Sequence, residues 1–200
     1  MLLPENVEHS SQTVAIIGAG PLGRWLALSA ARAGFRVFLE DVMPANLHHA
    51  REALRQQLDM DLRQDGANAH AANTVAVTFV STIEEAVRDA DLAIDCVPDE
   101  LESKLEILWL LDRMAPPRTV FATPTTRLSI SDLANCTYRP AQCIAIASEA
   151  SSLAAGGSFE ILLRTTPFTA AETVALLDTF WRRLGFIPTF AAENTTCANW

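Results

Sequence analysis

A glycine-rich turn near the start of the chain joins a short apolar segment to a helical one. The apolar segment, Thr13–Ile17, is rich in β-branched residues, and the sequence GAGPLG at 18–23 follows it directly. A helical pattern closed by Gly34 then leads to a second apolar segment at 36–40. Because strand–helix–strand crossovers are right-handed, this unit predicts two parallel strands joined by a helix, with the glycines where the first strand ends.

Strand and helix patterns alternate along the rest of the chain. Predicted strands cover 74–81, 92–97, 119–123, 142–147, 159–164 and 187–190. Predicted helices cover 44–63, 99–114 and 129–135, and two more are opened by capping boxes at 82–85 and 169–172. This alternation predicts an α/β fold, Rossmann-like and doubly wound, with a mostly parallel sheet whose last one or two strands join the parallel set.

Each glycine of the turn suits the binding of a dinucleotide diphosphate. Gly18 permits the tight turn, Gly20 lets a diphosphate approach the backbone, and Gly23 lets the helix pack closely on the strand. The free N–H groups and the positive dipole end of the helix then face the anion, so that no lysine is needed. The residues predicted to bind the cofactor at this turn are Gly18, Gly20, Pro21, Leu22 and Gly23.

A carboxylate stands at the end of the second predicted strand, where a dinucleotide fold places the group that binds the adenosine ribose hydroxyls. This carboxylate is Asp41, with Glu40 beside it. Its charge repels a 2′-phosphate, so the sequence predicts NAD(H) rather than NADP(H) as the cofactor. Two alternatives stay open: the glycines serve only a tight turn beside a solvated Asp41, and Arg24 either contacts phosphate or faces solvent.

Length, charge and composition narrow the classes of partner. The 200 residues fit one domain, which we interpret as a polar tail at 1–11 and an NAD-binding Rossmann domain at 12–200. The 24 acidic and 15 basic residues give a net charge of -9, which argues against nucleic acid. No run of about 18 apolar residues and no signal peptide is present, so we expect a cytoplasmic protein without a membrane span. The four cysteines show no C-x-x-C spacing, and we expect no metal site and no disulfide.

These motifs together resemble those of the 3-hydroxyacyl-CoA dehydrogenases, in their N-terminal NAD-binding domain. The resemblance rests on VAIIGAGPLG at 14–23, LED at 39–41, ADLAIDCVPDEL at 90–101, Lys104, and FATPTTRL at 121–128. It implies a site beside the nicotinamide half of NAD that is made by Val97, Pro98, Asp99, Lys104 and Thr126. Lys104 is the only lysine of the chain. A solvated helix residue is the alternative interpretation of Lys104.

The resemblance fails at the residue that would take the proton of an alcohol. The family supplies a histidine after the sixth strand, oriented by a glutamate. Counting from Thr126 without gaps places Ala147 at this histidine and Ala150 at a nearby asparagine. The four histidines of the chain lie in other segments, as His9, His48, His49 and His70. Because a methyl group moves no proton, the sequence assigns no catalytic residue.

Three residues stay as weak candidates for catalysis. Glu149 flanks the vacant position and could act as a base if its pKa were raised. Glu160 falls at the family's glutamate if one residue is inserted in the preceding loop, although a structural or solvent role suits it better. Thr126 keeps a hydroxyl where the family has a serine near the nicotinamide and the substrate.

Two functions stay open at this point. The first is a non-catalytic module that binds NAD(H), senses its redox state or joins a complex, and the missing histidine favours it. The second is an active NAD-dependent oxidoreductase acting on a 3-hydroxyacyl-type substrate such as an acyl-CoA, with a non-histidine base or a partner chain. In the family a helical domain follows, whereas this chain ends at Trp200. We therefore expect an open cleft and a homodimer.

Overall fold

The computed structural model describes residues 12–64, 77–147 and 160–193, so the predicted polar tail lies outside the described residues. The strands are β1 (Thr13–Ile17), β2 (Arg36–Glu40), β3 (Val77–Val80), β4 (Leu92–Asp95), β5 (Val120–Pro124), β6 (Cys143–Ile146), β7 (Glu160–Thr165) and β8 (Ile187–Ala192). The helices are α1 (Pro21–Arg32), α2 (Pro44–Gln64), α3 (Ile83–Val87), α4 (Leu101–Met114), α5 (Ile130–Asn135) and α6 (Ala171–Arg183), with a 3-10 turn at Pro140–Gln142.

All eight strands form one sheet, in the order β3-β2-β1-β4-β5-β6-β7-β8. Strands β1 to β6 are parallel to one another. The order reverses between β1 and β4, and in folds of this kind such a reversal opens a nucleotide-binding crevice at the carboxyl ends of the strands. The predicted Rossmann-like, doubly wound α/β fold is confirmed.

The last two strands correct one prediction. β7 pairs antiparallel to β6 and β8 pairs parallel to β7, so neither strand joins the parallel set. Apolar alternation carries no information on strand direction, which depends on the backbone pairing of distant segments. Burial alternates along most of β7, whereas every residue of β4 and β6 is buried. Such alternation is typical of an antiparallel strand with one open face.

Two apolar clusters cover the two faces of the sheet. Val14 and Ile16 of β1 belong to the cluster that includes residues of α1, α2 and α6. Ala15 and Ile17 belong to the cluster that includes residues of α3, α4 and α5. Because both faces of the central strands are covered, these strands are largely apolar, and buried Glu40, Asp95 and Thr123 lie at or near the carboxyl ends of β2, β4 and β5.

The two predicted capping boxes have different outcomes. Thr82 caps α3 by accepting the Glu85 N–H, as predicted. The second box is wrong, because the Thr169 hydroxyl accepts the Thr166 N–H and donates to the Cys143 carbonyl. An alanine without a side-chain cap therefore precedes α6. A hydroxyl near a helix start has several backbone partners within reach, and the sequence does not distinguish among them.

Candidate dinucleotide-binding site

The turn after β1 requires glycine at its first position. Gly18 has φ +105°, which other residues rarely adopt, and its N–H donates to the Glu40 carbonyl at 2.8 Å. A Cβ on Gly18 would lie 3.1 Å from the carbonyl carbon and oxygen of Cys96. Since Cys96 follows β4, both constraints arise where the strand order reverses.

Packing of α1 on the same turn requires Gly23. A Cβ on Gly23 would collide with the carbonyl oxygen of Gly18 and would touch the Ile16 side chain at 3.4 Å. Gly23 itself is buried in the first turn of α1. This close contact agrees with a glycine that lets the helix approach the strand.

The surroundings of Gly20 are open. Apart from the residues adjacent to it in the chain, no described residue has a heavy atom within 4 Å of a Cβ built on Gly20, and its backbone (φ -67°, ψ -176°) suits any residue. Gly20 is the N-cap of α1, and no described side chain caps this helix, whose first turn carries Pro21 and no acid. Arg24 donates to the Ala19 carbonyl at 3.0 Å, so its guanidinium already lies on the turn. The open space and the uncapped positive end of α1 fit a diphosphate.

Asp41 connects the glycine turn to the end of β2. Its Oδ2 accepts the Ala19 N–H at 2.9 Å, and its Oδ1 accepts the Met43 N–H at 2.9 Å and the Asn46 amide at 3.0 Å. The residue is 9% exposed. Asp41 is therefore a fixed part of the turn and not a solvated loop residue. The Asn46 amide also lies 3.1 Å from Oδ2, so each carboxylate oxygen already has two contacts, and a ribose hydroxyl would replace one of those made by Asn46.

A second carboxyl group, that of Glu40, lies beside Asp41. Glu40 is 5% exposed, and burial together with the nearby charge of Asp41 raises its pKa to about 7. The sequence argument did not use Glu40, although two adjacent acids at the end of a buried strand were the available signal.

A buried ion pair lies at the end of β4. Lys104 Nζ donates to Asp95 Oδ2 at 3.1 Å, and both side chains are 0% exposed. The same Asp95 oxygen accepts the Thr123 hydroxyl at 2.8 Å, and the Val97 carbonyl lies 3.5 Å from the ammonium. Burial raises the pKa of Asp95, although the ammonium and the hydrogen bonds act in the opposite direction.

This pair places Lys104 behind the turn that follows β4, where Val97 is half-buried and Pro98 is exposed. The alternative of a solvated helix residue is wrong, because the whole side chain is enclosed. Direct contact between Lys104 and the cofactor ribose stays a prediction. The sequence argument missed the partner, Asp95, for which the only signal was an acid inside an otherwise apolar strand.

Asp99 and Thr126, which were predicted from different segments, lie together. The Thr126 N–H points to Asp99 Oδ2 at 3.4 Å, and the Arg127 guanidinium donates to the Asp99 carbonyl at 2.9 Å. Thr126 is exposed. Asp99 Oδ1 is buried and has no hydrogen-bond partner among the described residues, so this oxygen keeps its full acceptor capacity.

The position expected to carry the base holds an alanine. Ala147 directly follows β6, and its N–H donates to the Leu162 carbonyl at 2.8 Å. Glu160 lies two residues before Leu162, at the exposed start of β7, so it is not the residue across from Ala147. Glu149 and Ala150 lie outside the described residues.

Neither the described histidines nor the cysteines Cys96 and Cys143 offer a substitute base. His48 and His49 are exposed on α2, in the helix that follows Asp41. Burial raises the pKa of the Cys96 and Cys143 thiols, in the second case to about 11, so neither is a thiolate near neutral pH. In ranges 12–64, 77–147 and 160–193, no group of three His, Cys, Asp or Glu side chains is placed to hold a metal ion. Within the same ranges, no helix is long and apolar enough to cross a membrane.

Comparison with known proteins gives a family match. The family model described as "3-hydroxyacyl-CoA dehydrogenase, NAD binding domain" matches residues 13–147. This range begins with β1 and ends just after β6. It therefore includes the glycine turn, Asp41, the buried ion pair and the segment that carries Thr126.

Two curated relatives show how far the similarity extends. The chain is 32% identical over 133 residues to a probable 3-hydroxybutyryl-CoA dehydrogenase of Bacillus subtilis. It is 33% identical over 137 residues to an L-carnitine dehydrogenase of a Pseudomonas species. Each match covers 66% of this chain, but only 46% and 41% of the respective relatives. The chain thus spans less than half the length of these relatives.

A solved structure shows the same fold over most of the chain. The 3-hydroxybutyryl-CoA dehydrogenase of Escherichia coli K12 superposes with a TM-score of 0.80 at 26% sequence identity. The superposition covers 91% of this chain and 38% of that chain. Because it covers more of the chain than the family match does, the similarity of fold extends beyond residue 147.

Proposed function

The chain belongs to the 3-hydroxyacyl-CoA dehydrogenase family, of which it carries the NAD-binding domain, and from this membership we propose that it binds NAD(H) without itself oxidising a 3-hydroxyacyl substrate. The observation that carries the proposal is the contrast between the open, uncapped turn at Gly20 and the methyl group of Ala147. Dinucleotide binding uses the backbone and a helix end, whereas alcohol oxidation also needs a base.

The adenosine diphosphate half of NAD binds, in this proposal, on the turn after β1. The diphosphate occupies the open space at Gly20, against the first turn of α1, with Pro21 and Leu22 beside it. Asp41 accepts the adenosine ribose hydroxyls, while the Ala19 N–H keeps the carboxylate in place. This half of the site depends on groups that the fold already holds rigid.

The nicotinamide half crosses the ends of β4 and β5. Asp99 Oδ1, buried and unpaired among the described residues, accepts a hydroxyl of the second ribose, and Thr126 lies beside it. Lys104 contributes from behind the turn, because its ammonium holds Asp95 and faces the Val97 carbonyl. A shift of this turn would move Asp99 with it.

Bound NAD supplies the hydride acceptor for alcohol oxidation, but the protein must supply the group that takes the hydroxyl proton. At the expected place stands Ala147, bonded through its backbone to Leu162, and neither side chain takes up a proton. We therefore infer a module that binds the dinucleotide, either to sense its redox state or to present it to another chain.

Calorimetric titration with NAD⁺, NADH and NADP⁺ tests the binding part of the proposal. NAD⁺ and NADH are expected to bind, and NADP⁺ is expected to bind more weakly because the charge of Asp41 repels its 2′-phosphate. Gly20→Val, which fills the diphosphate space, is the control that separates specific from adventitious binding. Failure of the unaltered protein to bind NAD⁺ and NADH would refute the proposal.

One observation favours a second candidate, an active oxidoreductase on a 3-hydroxyacyl-type substrate such as an acyl-CoA. Asp99 keeps a buried carboxylate oxygen without a partner among the described residues, and this group lies beside Thr126, next to the proposed nicotinamide half. Incubation with NAD⁺ and 3-hydroxybutyryl-CoA is expected to yield no NADH above background. NADH formed at a rate abolished by Glu149→Gln would establish the second candidate in place of the first.

Assembly is a separate part of the proposal. We propose a homodimer, in which a second copy of the chain covers the nicotinamide half of the site, where Thr126 is exposed. Light scattering of the protein alone and with saturating NAD⁺ measures the mass directly. A monomer under both conditions would contradict the dimer and leave NAD binding unaffected.

A further inference from the structure

The segment that carries Thr126 is held by an arginine of the antiparallel strands. Arg164, on β7, donates from Nη2 to the Thr125 carbonyl at 2.8 Å and to the Leu128 carbonyl at 3.3 Å. A single guanidinium nitrogen thus binds two carbonyls three residues apart. This contact fixes the bend of the segment, because both carbonyls must point toward the same planar group.

A carboxylate holds the next part of the same segment. Glu193, directly after β8, accepts the Ile130 N–H at 2.8 Å and the Ser131 N–H at 2.9 Å, and it binds the Ser129 hydroxyl at 3.2 Å. The first N–H groups of a helix have no partner inside that helix, and a negative charge beside them is favourable. Glu193 therefore anchors the start of α5 from a different part of the chain.

Glu193 keeps its charge over the physiological range. Partial burial acts to raise its pKa, but the hydrogen bonds from Ser131, Ile130 and Ser129 outweigh burial and lower the pKa below the ordinary value. A group with a lowered pKa in the folded state loses its stabilising contribution only as the pH falls through that lowered value. The anchor is consequently intact at neutral pH.

The other side of the segment faces the predicted nicotinamide site. The Thr126 N–H points to Asp99, and Arg127 donates to the Asp99 carbonyl. Thr126 thus lies between the β4–α4 turn on one side and the β7–β8 pair on the other. Both anchors on the second side, Arg164 and Glu193, lie outside the residues that match the family model.

We propose that Arg164 and Glu193 are positioning residues for the nicotinamide half of the cofactor, since they hold segment 125–131 so that Thr126 stays beside Asp99. The inference rests on the proposed function, because it assigns two further residues to the same site. The adenosine diphosphate half binds on β1, α1 and β2, and neither anchor has a described hydrogen bond with those elements. Loss of an anchor is therefore expected to weaken the binding of NAD⁺ and to spare the binding of ADP.

The test compares NAD⁺ with ADP, which contains only the adenosine diphosphate half, by calorimetric titration of Glu193→Gln and Arg164→Met. Each variant is expected to bind NAD⁺ about tenfold more weakly, because hydrogen bonds to a charged group are lost. The affinity for ADP is expected to change by less than about twofold. A purely structural role would lower both affinities together or neither.

Two matched control variants alter residues near the amino ends of the parallel strands. Asp112→Asn alters a carboxylate that accepts the Tyr138 N–H at 2.9 Å and the Arg139 guanidinium at 2.7 Å. Arg118→Met alters a guanidinium that binds Asp91 at 2.9 Å and a backbone carbonyl at 3.0 Å. Like the test variants, the controls remove hydrogen bonds of a carboxylate and of a guanidinium group. Their melting temperatures and affinities therefore show how far a general loss of stability changes ligand binding. Neither control is expected to change the ratio of NAD⁺ to ADP affinity.

Each outcome of this test is decisive. An unchanged NAD⁺ affinity, or an equal loss of NAD⁺ and ADP affinity, would overturn the positioning role. If Glu193→Gln or Arg164→Met fails to fold, Arg164→Lys keeps the charge without the planar group and is measured in the same way. Equal affinities of the unaltered protein for ADP and NAD⁺ would overturn the positioning role alone. Binding of neither ligand would refute the proposed function, and this inference with it.

Discussion

The turn after β1 and the strand end after β6 lie at the same edge of the sheet, and they place opposite demands on their residues. In the turn, Gly18 and Gly23 are required by the backbone itself, since a Cβ at either position meets a carbonyl group. After β6, Ala147 uses only its N–H, which donates to Leu162, and any residue has that group except proline. In the first region, residues that shape the cofactor site are therefore also needed for folding. In the second region, a base would depend on one side chain that the fold does not require.

This difference gives a physical reason for the proposal that the chain keeps a cofactor site without the residue for the reaction. Changing Gly18 or Gly23 disturbs the contact between β1, α1 and β4, so the shape of the turn is tied to the stability of the fold. A histidine after β6 would be a side chain added to a backbone that folds equally well with alanine. Membership of a dehydrogenase family consequently supports binding more strongly than it supports catalysis.

The largest expected effect concerns the buried ion pair at the end of β4, which lies next to the turn after β1. Lys104→Met leaves Asp95 charged and unpaired inside the protein, and we expect a loss of roughly 3–5 kcal/mol in the free energy of unfolding. Chemical denaturation measures it. The double variant Lys104→Met/Asp95→Asn is expected to recover most of that loss. If the single variant is as stable as the unaltered protein, the Lys104–Asp95 ion pair does not stabilise the fold.

The next effect sharpens the comparison within the turn. Gly20→Val is expected to weaken NAD⁺ binding by about 100-fold, or about 2.7 kcal/mol, while the melting temperature stays nearly unchanged, because the added atoms enter open space. Gly23→Ala is expected to destabilise the protein by roughly 1–3 kcal/mol through its collision with Gly18. Calorimetry measures the NAD⁺ affinity of both variants, and thermal melting measures their stability. The comparison fails if Gly20→Val keeps its affinity or if Gly23→Ala melts like the unaltered protein.

A smaller effect is expected at the ribose site. Asp41→Asn removes the charge that binds the Ala19 N–H, and its amide nitrogen cannot accept that hydrogen bond. We expect NAD⁺ affinity to fall about tenfold and the preference over NADP⁺ to shrink, because the repulsion of the 2′-phosphate is lost. Parallel titrations with both dinucleotides measure the preference. An undiminished preference for NAD⁺ would mean that another group excludes the phosphate.

The smallest effect concerns pH. The pKa of Glu40 in the folded protein, about 7, lies above its ordinary value of 4.5. Its neutral form therefore stabilises the fold at low pH, and this contribution fades as the pH rises from 4.5 through 7. Glu40→Gln is expected to raise stability at pH 8 by on the order of 1 kcal/mol, with no gain at pH 4. Equal shifts in melting temperature at the two pH values would contradict the assignment.

Sequence reasoning succeeded where a residue is constrained by its immediate neighbours along the chain. The positive φ at Gly18 and the position of Asp41 at the end of a buried strand both follow from local patterns. It did not find the partner of Lys104, because residues 95 and 104 meet only when α4 folds back on β4. It also assigned the last strands to the parallel set, since alternation is the same in either direction.

By itself, the sequence determined the α/β fold, the glycine turn and the acid that follows β2, because periodicity, glycine and charge act over a few residues. Only the tertiary structure decided that Lys104 is enclosed with Asp95 and that β7 runs antiparallel to β6. It alone placed Arg164 and Glu193 on the segment that carries Thr126. These contacts join residues on different elements, and their partners are selected by the packing of whole elements, which no local pattern encodes.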